Sequence, residues 1–288
     1  FAALPVRADV MPIITGNERF HPVHARNGMV ASQEAAASQI GLSILERSGN
    51  AVDAAVATAF ALAVTLPRAG NLGGGGFMLV HLAESGETVA IDYRETAPAA
   101  ATRDMFLAPD GKADPKLSRD SGLGVGVPGT VAGLALAHAR YGSGKFSLAD
   151  LIAPAAALAG TGITVSDDLA MSLASAAERL TRFNSTRTIF YTADGEPPQP
   201  GSRLVQKDLG LTLRAIATGG PEAFYTGEIA ERIAASVRDA GGVMTVDDLA
   251  GYKPKLREPV RGTYRGHEIV SMPPPSSGGI HILQILKM

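Results

Sequence analysis

The chain contains no cysteine, no excess of either charge and no apolar run long enough to cross a membrane. Without cysteine there are no disulfides, no thiolate metal sites and no thiol nucleophile. With 26 basic against 28 acidic side chains the net charge is −2, which leaves no electrostatic footprint for nucleic acid or anionic lipid. The most apolar stretch, Ala54 to Leu66, is Ala-rich and closed by Pro67, so it reads as a buried helix and not as a membrane span. Internal repeats, coiled-coil heptads, low-complexity tails and clear interdomain linkers are also missing. The 288 residues are therefore read as one body with a substantial core. The first residues, Phe1 to Asp9, carry no initiator Met, which permits export after removal of a leader without requiring it.

Apolar positions at helical spacing (Ile40, Ile44, Leu45) predict a helix within residues 31–49, stopped by Gly49-Asn50. Asp53 suits the start of a second helix over 54–66 that is apolar on nearly all sides. Phe77 to Leu82 has the unbroken apolar character of a strand covered on both faces, and Glu84-Ser85-Gly86-Glu87 turns the chain into a second strand, Thr88 to Arg94. Further helices are predicted over 128–140, 147–159, 166–182, 208–218 and 222–240, with another start at Thr245 and an exposed loop over 195–201. Gly266 to Met272 reads as a strand, followed by a rigid connector, Pro273 to Gly279, and a helix from Ile280. That helix would leave Ile282, Leu283, Ile285 and Leu286 uncovered unless more polypeptide follows. An α-rich flank on a small sheet is the simplest layout.

Several patterns resemble functional motifs. Gly124-Val125-Gly126-Val127-Pro128-Gly129 has the letters of a dinucleotide-binding loop, but no buried strand precedes it, so it reads as a turn into the helix after Pro128. Gly73 to Gly76 could cradle an anion or permit close backbone packing; no Lys-Ser or Lys-Thr follows, which favours packing. His21 and His24 form a weak metal pair, and Ser276-Ser277 near His281 lacks the nucleophile elbow of a hydrolytic triad. The run Pro67 to Phe77 followed by Ile91-Asp92-Tyr93-Arg94-Glu95 places Arg94 at the end of a predicted buried strand. A guanidinium there needs a planar anion. Two partners fit: a structural one (Glu95, Asp92 or a helix C-terminus), or the carboxylate of a ligand.

A resemblance bears on this choice. Gly28-Met29-Val30-Ala31-Ser32, Gly49-Asn50-Ala51-Val52-Asp53-Ala54-Ala55, Gly70 to Met78, Asp92-Tyr93-Arg94-Glu95-Thr96-Ala97-Pro98, Val127 to Gly133 and Ser271 to Gly279 together resemble the large subunit of the gamma-glutamyltransferase family. The resemblance implies an α+β fold, the four-layer αββα sandwich of N-terminal-nucleophile hydrolases, in which residues 1–288 supply the large-subunit part of a single domain. It implies an inactive precursor that cleaves itself, and a small-subunit partner whose first residue, a threonine, attacks the γ-glutamyl amide. A γ-glutamyl-enzyme ester would pass to water or to an amino-acid or peptide acceptor, glutathione being the implied donor. The expected chain ends before that threonine, so no catalytic residue is expected here.

Arg94 is the residue the resemblance carries over, as the group that grips the donor's α-carboxylate through two parallel hydrogen bonds. Neither cofactor nor metal is implied, and the location would be periplasmic or secreted. Two rivals remain: a glutaryl-cephalosporin-type acylase on the same scaffold, and a non-enzymatic exported protein that holds an amino acid on Arg94.

Overall fold

A computed structural model describes residues 24–288. Two helices, α1 (Ala35–Glu46) and α2 (Ala51–Thr65), pack as an antiparallel pair. Helix α2 is buried on nearly every side, with Val56, Ala57, Phe60, Ala61 and Val64 fully enclosed. Its alanines let neighbours approach closely, and α1 meets it at Gly41, where a Cβ would collide with Thr58 and Val30. The helix begins earlier than the sequence suggested, because Asn50 and not Asp53 is the cap. Asn50 Oδ1 accepts from the Asp53 N–H (2.9 Å) while Asp53 Oδ2 accepts from the Asn50 N–H (3.0 Å), a reciprocal capping box. Asp53 is fully buried and also accepts from the Ser143 N–H (3.2 Å).

The hairpin β1 (Phe77–Leu82) and β2 (Glu87–Asp92) forms as expected, and a third strand, β5 (Lys255–Arg257), joins it in the order β1-β2-β5. The expectation that the first strand is covered on both faces is corrected: β1 is an edge strand in which only Val80 is buried, while Leu79 is 41% exposed. In a three-stranded sheet only the central strand is flanked on both sides, and β2 accordingly buries Ala90 and Ile91 completely. The second strand also ends at Asp92, two residues before Arg94.

The helical half follows the sequence closely. Between the hairpin and β5 run α3 (Pro115–Arg119), α4 (Thr130–Tyr141), α5 (Leu148–Thr161), α6 (Asp167–Leu180), α7 (Asn184–Phe190) and α8 (Lys207–Gly219), with a two-residue pair β3 (Ile163–Thr164) and β4 (Arg203–Leu204). The helix expected over 222–240 is divided into α9 (Glu222–Tyr225) and α10 (Gly227–Asp239), since Thr226 is extended and Gly227 has φ +64°. A short α11 (Val246–Ala250) follows, with a Thr245–Asp248 capping box.

Beyond β5, β6 (Val260–Tyr264) and β7 (His267–Ser271) form a hairpin whose turn, Arg265-Gly266, has positive φ at both residues. Helix α12 (Gly278–Leu286) folds back on it, and Leu283 occupies the space that a Cβ at Gly262 would need. Two of the four apolar residues expected to be uncovered are so, Ile282 at 48% and Ile285 at 67% exposed, whereas Leu283 and Leu286 are half-buried, Leu283 against β6. The whole is α+β, with helices packed against small antiparallel sheets. No described helix is long and apolar enough to cross a membrane.

Asp53 joins the α1–α2 turn to the turn after α4. Replacing it by Ala in the full-length protein strands the half-buried N–H groups of Asn50 and Ser143 and removes the capping box. The expected loss is about 2–4 kcal/mol, measured by denaturant unfolding.

Candidate functional site

The site grows from the end of β2. Tyr93 still pairs with the glycine loop through Gly76, N–H to C=O in both directions (3.0 and 3.3 Å), and buries its ring against Gly76 and Gly133. Burial pushes the Tyr93 phenol up to about 12. The next residue, Arg94, is exposed. The expected picture of a guanidinium inside a buried strand is thereby corrected: the buried charge at the strand end is Asp92, 6% exposed, and its partner is Arg257 from β5 at 2.7 Å. Because Asp92 is already paired, Arg94 forms no ion pair among the described residues; its Nη1 donates to the Pro275 carbonyl at 3.3 Å.

The Arg94 main chain is held from several sides. Its N–H donates to Asp92 Oδ1 (3.1 Å) and its carbonyl accepts from the Tyr252 hydroxyl (2.9 Å). Gly75 lies directly against it: a Cβ there would come within 2.9 Å of Arg94 Cα and 2.8 Å of the Glu95 nitrogen. Gly74, Gly75 and Gly76 thus serve close packing, as the sequence favoured, whereas a Cβ at Gly73 would meet nothing within 4 Å. The loop is fixed in turn by Asn71 Oδ1, which accepts from the Gly74 N–H (2.9 Å) and the Thr130 hydroxyl (2.7 Å), and by the Gly74 carbonyl, which accepts from the Gly129 and Thr130 N–H groups (2.7 and 3.1 Å). Gly129 is the N-cap of α4, and a helical turn precedes the 124–129 glycines where a nucleotide site would need a strand.

Around Arg94 lies a cleft of about 200 Å³, lined also by Asp92, Glu95, Thr96, Tyr252, Lys253, Lys255, Arg257 and Pro275. Arg257 is neutralised by Asp92, which leaves Arg94, Lys253 and Lys255 facing Glu95, a balance that favours an anionic guest. Tyr252 stacks on Tyr225 (5.8 Å between ring centres, 7° between planes). Burial, reinforced by Tyr225, Asp92, Glu95 and Tyr93, holds the Tyr252 phenol well above the usual tyrosine range, so it stays a proton donor. A larger hollow of about 650 Å³ between α8 and α10 is mostly apolar, and two of its charged groups, Glu228 and Arg232, pair with each other at 3.5 Å.

Beyond the cleft, Asp248 Oδ1 accepts from the Ala99 N–H (2.7 Å) and ties the segment after Arg94 to α11. Burial opposes its ionisation, but the hydrogen bonds from Ala99 and Thr245 outweigh it and hold the carboxyl below its usual value.

Of the other residues weighed in the sequence, His21 lies outside the described residues. His24 is exposed, and no group of three or more His, Asp or Glu side chains poised for a metal occurs among the described residues. His281 is exposed on α12 and its backbone N–H donates to the Ser277 carbonyl (3.0 Å). Sequence reasoning missed Tyr252, Arg257 and Asp248. Only the Thr245-to-Asp248 spacing of a capping box offered a signal for any of them.

Comparison with known proteins places these features in context. The family model described as gamma-glutamyltranspeptidase matches residues 37–288. The Glutathione hydrolase proenzyme of Escherichia coli (strain K12) is 51% identical over 280 residues, which is 96% of this chain and 48% of that protein. The Acylase ACY 1 proenzyme of Pseudomonas sp. (strain V22) is 40% identical over 273 residues, 93% of this chain and 48% of that protein. The crystal structure of Helicobacter pylori gamma-glutamyltranspeptidase superposes with a TM-score of 0.89 at 47% identity, covering 92% of this chain and 75% of that one. The chain spans about half the length of the curated relatives it matches.

Two outcomes follow for the full-length protein. Arg257→Met leaves the Asp92 carboxylate buried and unpaired and should lower stability by roughly 2–4 kcal/mol in denaturant titration, less than for a fully buried pair because Arg257 remains 33% exposed. Asp248→Asn should destabilise at pH 7. Because the folded carboxyl is shifted down, its contribution is full above the unfolded value near pH 4 and is lost as pH falls through the folded value, so the gap from wild type closes in acid unfolding curves.

Proposed function

Because the chain belongs to the gamma-glutamyltranspeptidase family, we propose that it forms part of an enzyme that cleaves the γ-glutamyl amide bond of glutathione and related compounds through a γ-glutamyl-enzyme intermediate. The group then passes to water or to an amino-acid or peptide acceptor. The observation that carries this reading is Arg94: exposed in a positively biased cleft, held by its main chain, and with no counter-ion of its own among the described residues. A donor α-carboxylate fits that position, since the planar fork can offer it parallel N–H groups. A lysine would supply charge without the fork.

The attacking threonine is assigned to a small subunit from the same precursor, which would complete the domain of which residues 1–288 are the large-subunit portion. Three features support such a partner. Ile282 and Ile285 are exposed on α12, and Leu79 is exposed on β1. Residues 28–33 make no backbone-to-backbone hydrogen bond among the described residues, and Gly28, Met29, Ala31 and Gln33 are exposed. Acyl transfer by a threonine hydroxyl calls for no cofactor. The periplasmic or secreted location rests on the family resemblance alone.

The second reading, a glutaryl acylase, is favoured by the 40% identity to the Acylase ACY 1 proenzyme. A glutaryl group presents the same terminal carboxylate and lacks the α-amine.

Arg94→Lys in the full-length protein should raise KM for γ-glutamyl-p-nitroanilide roughly 10- to 100-fold, the equivalent of one charge-assisted hydrogen bond, while self-cleavage proceeds normally on a denaturing gel. Unchanged donor KM would remove Arg94 from the donor site. Turnover of glutaryl-p-nitroanilide in preference to the γ-glutamyl compound would select the acylase.

A further inference from the structure

We propose that Tyr252 is a positioning residue for donor binding: its hydroxyl fixes the Arg94 main chain so that the guanidinium enters the cleft in one orientation. The inference rests on the reading of Arg94 given above and assigns a device that controls it.

An exposed arginine has a long, mobile side chain, and ordering it on a ligand costs rotamer entropy. Among the described residues the Arg94 side chain makes one hydrogen bond, from Nη1 to the Pro275 carbonyl at 3.3 Å. The part of the cleft that the guanidinium can reach is therefore set by the backbone that carries it, and a fixed backbone narrows the conformations left to be frozen on a ligand. Two of the holds on that backbone, Asp92 and Gly75, belong to the β1–β2 hairpin and its leading loop and would move with it. Among the described residues, Tyr252 is the hold on that backbone that comes from a distant part of the chain, 158 residues away, and it donates to the Arg94 carbonyl at 2.9 Å.

The phenol is itself anchored. Its ring lies parallel to that of Tyr225, whose hydroxyl donates to the Pro128 carbonyl (3.0 Å) and accepts from the Ala132 N–H (3.2 Å) at the start of α4. Gly129 leaves the slot into which the phenol tip fits, for a Cβ there would collide with the Tyr252 hydroxyl and the Tyr93 carbonyl. A continuous path of stacked rings and hydrogen bonds thus runs from the helical half of the molecule to the residue that would hold the donor.

Tyr252→Phe keeps the stack and removes only the hydroxyl. In the full-length protein, assayed with γ-glutamyl-p-nitroanilide, it should raise donor KM about 3- to 10-fold, the effect of one neutral hydrogen bond. Saturated kcat, self-cleavage and the thermal midpoint should stay near wild type. In an Arg94→Ala background the same substitution should add nothing, because the residue it positions is gone. Tyr225→Phe, which loosens the anchor, should shift KM in the same direction by less, and supplies an independent arm if Tyr252→Phe yields no soluble protein.

An unchanged KM for Tyr252→Phe, or an equal rise with and without Arg94, overturns the positioning role. An unchanged KM for Arg94→Ala overturns instead the assignment of Arg94 to the donor, and this arm is read without reference to Tyr252.

Discussion

The carboxylate of Asp92 is the constraint around which the cleft is organised. It sits at the end of the central strand with 6% of its surface exposed, where an unpaired charge would cost several kcal/mol. One oxygen takes the Arg257 guanidinium and the other takes the Arg94 N–H. The first contact fastens β5 to the open side of β2, and with β5 comes Tyr252, a few residues upstream. The second holds the Arg94 main chain just past the end of the strand. A single buried charge therefore closes the sheet, delivers the tyrosine and leaves the neighbouring arginine without a counter-ion among the described residues.

That division of labour depends on tight packing elsewhere. The buried helix α2 is rich in alanine and meets α1 at a glycine, and the Tyr93 ring nests between Gly76 and Gly133. Each such contact removes freedom from the backbone that leads into the cleft. The Asn71 side chain and the Gly74 carbonyl then lock the glycine loop to the start of α4, so the strand end, the loop and the helix behave as one support. An arginine that must meet a planar anion gains from such a base, because affinity is lost to every degree of freedom that binding has to freeze.

How much of this could be read from the sequence depended on how local each signal was. The helices were legible because their apolar period and their caps lie within a few residues: Ser147 and Thr245 begin helices where they were expected. Strands β5 and β6 were not, because Lys255, Arg257 and Arg261 interrupt any apolar alternation, and these strands exist only through partners elsewhere in the chain. The burial that the sequence suggests for Arg94 belongs to Asp92, and Arg94 itself is exposed, because the strand ends two residues before it. Tyr252 carried no local signal at all. Its significance arises from a hydrogen bond across 158 residues, which no spacing in the sequence encodes.

The chemistry of the cleft also bears on how one scaffold can serve two donor classes. A guanidinium fork recognises a carboxylate and is indifferent to the atoms beyond it. The γ-glutamyl and glutaryl groups share that carboxylate and differ by an amine on the adjacent carbon, so the role proposed for Arg94 would suit both. It is consistent with this that relatives named as a hydrolase and as an acylase match the same half of the molecule at 51% and 40% identity. Discrimination between the two requires a group that either pairs with the amine or leaves an acceptor unsatisfied when the amine is missing, and a penalty of the second kind is the larger. On the reading proposed above, anion capture and donor selection are therefore separable tasks, and the residues gathered around Asp92 would serve the first.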